Sequence, residues 1–313
     1  IIGVETSPSR LQENPAVTAF PFPSPEFARD EALLELARLL RCEVLCMTHR
    51  AGSGHPGGSL SAVEVLSLLY LSELRHDPAD PKRPDRDRFV LSKGHACPIL
   101  YAVLAYCGYF PAEELCHLRQ VGRLLQGHPS VHTPGVDAST GSLGQGLSIA
   151  NGMALAARLD GRDTRVWCLL GDGELDEGQC WEAAMTAAHY GLDNLVAVVD
   201  RNRLQIDGDT ETVMALEPLS DKWRAFGFHV IDCDGHSYPE LRAAFAQARE
   251  TRGRPTCIIA HTHKGRGVSF MTDQAGWHGK APGEAEFERA VEEVAGCAPY
   301  TPECCLKLRG GGR

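Results

Sequence analysis

No stretch of the 313-residue chain approaches the roughly 20 consecutive apolar residues that a membrane-spanning helix needs, which excludes a helical membrane protein. The first residues also lack a basic stretch followed by an apolar core, so no secretory signal is expected. Basic charge is short as well. Lys and Arg number 31 against 41 Asp and Glu, and the resulting net charge of −10 argues against general nucleic-acid binding. Twelve cysteines are present, but no CxxC pair is, and without paired spacing neither a zinc site nor a disulfide framework is expected. Cys42 and Cys46 fall on a helical stretch, Cys168 and Cys257 in strand-like runs, and Cys304-Cys305 near the end. Small buried hydrophobes in a reducing cytoplasm are the expectation for most of them. No internal repeat occurs.

What is present is an alternation of helical and strand-like segments. Residues 1–26 are proline-rich and aperiodic and read as an N-terminal arm; residues 297–313, with Gly310-Gly311-Gly312, read as a flexible tail. Between them, 27–296 reads as one domain. Leu33, Leu36, Leu40, Val44 and Met47 recur at helical spacing, which predicts a helix over 27–48. A second is expected over 59–72, and others over 97–107, 112–121, 142–159, 178–190 and 239–251. Strands are expected at 88–91, 166–170, 195–199, 229–232 and 256–260. Such alternation predicts an α/β fold, a mostly parallel sheet with helices on both faces.

Within this rhythm one βαβ unit stands out. The apolar run Val166–Leu170 ends in Gly171-Asp172-Gly173; 28 residues follow, among them a second apolar run, Leu195–Val199, and then comes Asn202. Both polar tips should emerge at the carboxyl edge of the sheet, where open α/β sheets bind ligands. A carboxylate and an amide carbonyl there suit Mg²⁺, a hard cation that shares its oxygen ligands with phosphate. The backbone carbonyl of Leu204 is the natural third ligand. Gly171 and Gly173 allow close approach of a phosphate, and a helix starting near Gly178 would aim its N-terminal N–H groups at it. A Gly-Asp-Gly run also marks ordinary turns, and a lone histidine is commonly structural. Here, however, His55, His95, His128 and His278 each stand beside glycine in loops: Ser53-Gly54-His55-Pro56-Gly57, Ser92-Lys93-Gly94-His95, Gly127-His128-Pro129 and Trp277-His278-Gly279.

These segments, together with Thr140-Gly141-Ser142-Leu143-Gly144-Gln145-Gly146 and Lys264-Gly265-Arg266-Gly267, resemble in this order the N-terminal half of transketolase over about residues 28–285. The resemblance implies a thiamine diphosphate-binding fold. It implies that Asp172, Asn202 and the Leu204 carbonyl hold Mg²⁺, and that Gly141, Ser142, Leu143, Gly173, Asn202, His95, Lys264 and His278 contact the cofactor. His55, His128 and His278 would line the channel where sugar phosphates react by two-carbon ketol transfer. Glu177 resembles a carboxylate at the family's subunit contact. Two departures stand out. Gly58 occupies a position where some members carry serine, and the next domain, which in full-length members binds the aminopyrimidine ring and supplies the activating glutamate, is not in this sequence. The implied partner is therefore a separate C-terminal transketolase subunit carrying the pyrimidine-binding domain, in a heterotetramer of two plus two chains. Alternatives are a split thiamine diphosphate transferase with a non-sugar acceptor, a non-catalytic subunit that keeps the fold, and a fragment of a longer chain. A dehydrogenase α-subunit lacks the His55 and Gly141–Gly146 segments, and deoxyxylulose phosphate synthases are normally continuous chains.

Overall fold

The computed structural model describes residues 21–295. Most of the predicted arm and the whole predicted tail lie outside them. At the near end, the Ser24 N–H donates to the Leu71 carbonyl at 3.0 Å and Phe22 bridges to His76.

All five predicted strands form, and they make one parallel sheet. They are β1 (Arg88–Leu91), β2 (Val166–Gly171), β3 (Leu195–Arg201), β6 (His229–Asp234) and β7 (Thr256–His261), in the order β1-β2-β3-β7-β6. A two-residue pair, β4 (Leu204–Gln205) with β5 (Gly208–Asp209), forms a small antiparallel hairpin beyond β3. β2 and β3 are buried along their full length, as continuous apolar runs in a two-sided parallel sheet must be. The pleat divides their side chains between two cores. Trp167, Leu169, Val196 and Val198 face α1 (Asp30–Ala51), α3 (Val63–Leu68), α4 (Cys97–Cys107) and α9 (Tyr238–Glu250). Val166, Cys168, Leu170, Ala197 and Val199 face α5 (Gln145–Leu159), α6 (Gly178–His189) and α8 (Leu219–Ala225).

The helices depart from the predicted ranges where backbone chemistry intervenes. The first, expected over 27–48, runs as α1 and ends at Gly52, whose φ of 57° closes the last turn. The segment expected as one helix over 59–72 begins earlier, at Pro56, where proline suits the first turn, as α2 (Pro56–Ser61). It breaks at Ala62, resumes as α3 and finishes in a wider turn over Leu69–Glu73. The helix expected over 112–121 is only a tight 3₁₀ stretch, Ala112–His117, stopped by extended Leu118 and by Arg119 at φ 63°. α5 starts at Gln145 rather than 142 because Gly144, at φ 85°, cannot belong to a right-handed helix. Three short or late elements were not predicted: α7 (Thr210–Val213), α8 and α10 (Glu284–Ala295).

Nine cysteines lie in the described residues; none of them forms a disulfide there, and eight are buried. No helix there is long and apolar enough to cross a membrane.

Candidate functional site

The register of β2 on β3 places Gly171 opposite Asp200, so the two chains leave the sheet together and deliver Asp172 and Asn202 to one edge. Both are buried, at 1% and 7% exposure. Asp172 is held by its surroundings: its carboxylate accepts from the Gly173 N–H at 2.8 Å, from the Arg203 N–H, and from Arg201 Nη1 at 3.2 Å. The Arg201 guanidinium is itself anchored by Glu211 at 2.8 Å and Glu217 at 3.0 Å. Burial, and then the nearby Asp200 charge, push the Asp172 pKa up, and a cation bound beside it would offset both. Asn202 Oδ1 accepts from the Leu204 N–H at 3.1 Å, and the Leu204 carbonyl accepts from Lys264 Nζ at 2.8 Å.

These groups line a pocket of about 150 Å³, together with Gly58, Lys93, His95, Leu143, Gly173 and His278. A Cβ at Gly173 would lie 2.8 Å from Gln205 Cβ, so only glycine fits that wall. At Gly58 the nearest atom to a Cβ is His95 Nε2 at 3.5 Å, so this departure leaves space rather than closing the pocket. Lys264 Nζ also lies 3.0 Å from His278 Nδ1, and burial lowers the lysine pKa to about 8.

The four histidines do converge. The His55 ring centroid lies 5.3 Å from His95, 5.4 Å from His278 and 6.5 Å from His128, and His95 is 5.0 Å from His278. Burial, aided by Arg119, His128 and Lys264, lowers His55 to about 4; burial, then Lys264 and His55, lowers His278 to about 3. His95 is pushed well below the ordinary value by burial and by Lys93, and His128 is lowered by burial and Arg119. All four are therefore neutral imidazoles near pH 7, each able to donate from one nitrogen and accept at the other. His55 Nδ1 is buried and has no hydrogen-bond partner among the described residues.

Other predicted residues fall elsewhere. Gly141, at φ 140°, packs against the His128 ring rather than lining the pocket, and Ser142 is exposed beside it. His128 is exposed at the outer rim. Glu177 is also exposed, next to Gly144. The helix start expected near Gly178 does not reach the pocket. A 3₁₀ turn, Gly173–Asp176, intervenes, with the Asp172 side chain capping it, and its Gly173 and Glu174 lie at the pocket wall instead.

Sequence reasoning missed a layer beneath the site. Lys93 and Asp200, both fully buried, form an ion pair, and Lys93 Nζ also donates to the Gly58 carbonyl at 2.8 Å. Burial works against the Asp200 charge, yet Lys93 and the hydroxyls of Ser61 and Thr262 hold its pKa below the ordinary value. The place of Lys93 in the Ser92-Lys93-Gly94-His95 loop was the available signal.

The fit to a metal-bound diphosphate rests on the donor set. No group of three or more His, Cys, Asp or Glu converges as a metal site among the described residues. What lines the pocket instead is Asp172, Asn202 and Leu204, which offer a carboxylate, an amide oxygen and a backbone carbonyl, hard oxygens of the kind that suit Mg²⁺ sharing ligands with phosphate.

The family described as transketolase, thiamine diphosphate binding domain, matches residues 30–304. A 6-deoxy-6-sulfo-D-fructose transketolase subunit from Clostridium sp. is 47% identical over 82% of this chain and 94% of its own length. One of the apulose-4-phosphate transketolase subunits of Phocaeicola vulgatus is 45% identical over 80% of this chain and 89% of its own. Human transketolase is 44% identical over 86% of this chain, but the match spans only 43% of that protein. Among solved structures, Campylobacter jejuni transketolase superposes with a TM-score of 0.82 at 35% identity, covering 88% of this chain and 45% of that one.

Proposed function

The chain belongs to the transketolase family, as its N-terminal thiamine diphosphate-binding part, and from that premise we propose that it is one subunit of a two-part transketolase. Together with a separate C-terminal subunit it moves a two-carbon ketol unit from a ketose phosphate to an aldose phosphate. The observation that carries this reading is the convergence of four neutral histidines at the mouth of the Asp172–Asn202–Leu204 pocket. The two relatives named as subunits, which the chain matches over most of their length, support the division into two chains.

In this reading Asp172, the Asn202 amide oxygen and the Leu204 carbonyl hold Mg²⁺. Gly173, Asn202, His95, Lys264, His278 and Leu143 hold the cofactor from the pocket, and Gly141 and Ser142 from beside it. Thiamine diphosphate, when bound, supplies the carbon nucleophile that no side chain offers. The chain's own residues orient and surround it. Lys264, a buried cation beside the Leu204 carbonyl, is placed to meet a diphosphate oxygen. His55 holds a sugar hydroxyl, accepting its proton as charge develops and returning it later; His278, whose Nδ1 takes a hydrogen bond from Lys264, donates from Nε2 to the oxygen where charge develops; His128 guides the sugar at the rim. Residues 27–296, as far as they are described, act as one cofactor-binding unit. The assembly is a heterotetramer of two plus two chains with the cofactor at the interfaces, and the cysteines of the described residues, none in a disulfide, suit a cytoplasmic location.

The test is ketol transfer from xylulose 5-phosphate to ribose 5-phosphate with thiamine diphosphate and Mg²⁺, for this chain alone and with a C-terminal transketolase subunit added. Activity in the mixture only is expected. Activity of the chain alone would show that the activating carboxylate does not come from a partner. Silence of a mixture that binds the cofactor would favour a non-sugar acceptor, and failure to bind it a non-catalytic subunit.

A further inference from the structure

Helix α3 reads Val63-Glu64-Val65-Leu66-Ser67-Leu68, and Glu64 is its only charged residue, 5% exposed. Neither carboxylate oxygen faces water. Oε1 accepts from Arg41 Nη2 at 2.6 Å, and Oε2 lies 2.9 Å from His236 Nδ1. Each partner continues to the same loop, the one that follows β7. Arg41 Nε donates to the Arg266 carbonyl at 3.0 Å, and the His263 N–H donates to His236 Nε2 at 2.9 Å.

The second contact settles the state of His236. A backbone N–H can only donate, so Nε2 must carry a lone pair, Nδ1 carries the hydrogen, and that hydrogen points at Glu64. The ring is thus a relay with a direction, from the His263 N–H through imidazole to carboxylate. It is fixed from its own backbone too, because the His236 N–H donates to Asp234 Oδ1 at 2.8 Å.

The two arms end at His263 and Arg266, which flank Lys264 and Gly265. Between them the Gly265 N–H donates to the Gly57 carbonyl at 3.0 Å, tying this loop to the one that carries His55. Gly267, at φ 99°, lets the loop press on Arg41: a Cβ there would stand 2.8 Å from Arg41 Cδ. The Lys264 side chain then projects to the Leu204 carbonyl and His278.

We propose that Glu64 is a positioning residue for the pocket lysine: through Arg41 and His236 it clamps both sides of Lys264 and fixes where that cation meets a bound diphosphate. The proposal rests on the transketolase reading for its ligand, but its mechanical half stands apart from it.

The test uses the chain together with a C-terminal transketolase subunit, in three forms, wild type, His236→Leu and His236→Gln, with Glu64→Gln as a fourth. Backbone hydrogen exchange over 262–267 is followed by mass spectrometry, and Mg²⁺-thiamine diphosphate is titrated by calorimetry. Leucine cuts one arm and leaves the Glu64–Arg41 pair intact; glutamine keeps an acceptor for the His263 N–H and a donor for Glu64. In His236→Leu, exchange over 262–267 should quicken about tenfold, the scale of one hydrogen bond, while β2 and β3 stay as protected as in wild type. Its affinity for Mg²⁺-thiamine diphosphate should fall at least about tenfold, as removal of residues that orient ligands does elsewhere. His236→Gln should restore both, and Glu64→Gln, which disturbs both arms, should exceed His236→Leu. If Glu64→Gln does not fold, the His236 pair decides. Unchanged loop exchange in His236→Leu overturns the clamp. Quickened exchange with unchanged affinity overturns its role toward the ligand. A wild type that binds no Mg²⁺-thiamine diphosphate sinks the functional reading instead, and the exchange data still decide the clamp.

Discussion

Glu174 follows directly on Gly171-Asp172-Gly173, yet its work differs from that of Asp172. Its carboxylate accepts from the Ser92 hydroxyl, from the Gly144 N–H at 3.0 Å and from the Gly171 N–H at 3.0 Å. One buried side chain thus gathers the loops after β1, before α5 and after β2. Burial raises its pKa against the pull of these donors. Glu174→Gln turns one acceptor into an amide donor facing a donor. Stability should drop by about 1–3 kcal/mol, the cost of a buried group left unsatisfied, and be read as a lowered Tm with the fold retained. A variant as stable as wild type would mean that the carboxylate is dispensable there. Asp172 was legible in the sequence because a polar tip after an apolar run must surface at the sheet edge. Glu174 and Asp200 were not, since what defines them is contact with Ser92, 82 residues away, and Lys93, 107 residues away. Spacing along a chain carries no such information.

At the scale of elements, the segment before α5 shows how backbone conformation sets side-chain position. Gly141 has φ 140°, and a Cβ on it would lie 2.8 Å from His128 Cδ2. Gly141→Ala therefore has to move either the loop or the imidazole, at a strain of roughly 1–3 kcal/mol. The expected result is a clear fall in kcat of the reconstituted enzyme with far-ultraviolet circular dichroism unchanged. Full activity would remove His128 from the proposed channel. Helices were legible where apolar periodicity ran unbroken, as in α1, and illegible where a single residue ended them early. The stretch after Ala112 had helix-forming composition, but Leu118 turns extended and Arg119 takes φ 63°, with its guanidinium on the Ser53 hydroxyl at 2.9 Å. A tertiary contact outweighed local propensity there.

Across the whole molecule, buried neutral histidines tie stability to pH. His76 is 2% exposed, bonded to the Tyr70 carbonyl at 2.7 Å and the Tyr109 hydroxyl at 2.9 Å, and burial lowers it to about 4. Between pH 6.5 and 4 the unfolded chain takes up a proton that the folded chain refuses, so stability is complete above that window and is lost as pH falls through it. For His76 alone the loss from pH 7 to 5 is about 2 kcal/mol. Wild type should melt lower at pH 5 than at pH 7, and His76→Gln, which keeps a donor and an acceptor, should show a shallower decline. Equal slopes would clear His76 of the effect. The five strands were legible from their apolar runs, but their order was not, because pairing β7 between β3 and β6 depends on register over long separations. One consequence of that all-parallel order concerns the other end of the sheet. The pocket segments that follow β1, β2, β3 and β7 leave the carboxyl edge, while the turns at Gly161, Gly191 and Gly253 reverse the chain at the opposite rim. A six-residue strand such as β2 keeps the two rims about 20 Å apart. The far rim is therefore where a fluorophore, an affinity handle or an inserted peptide can be grafted without entering the chemistry.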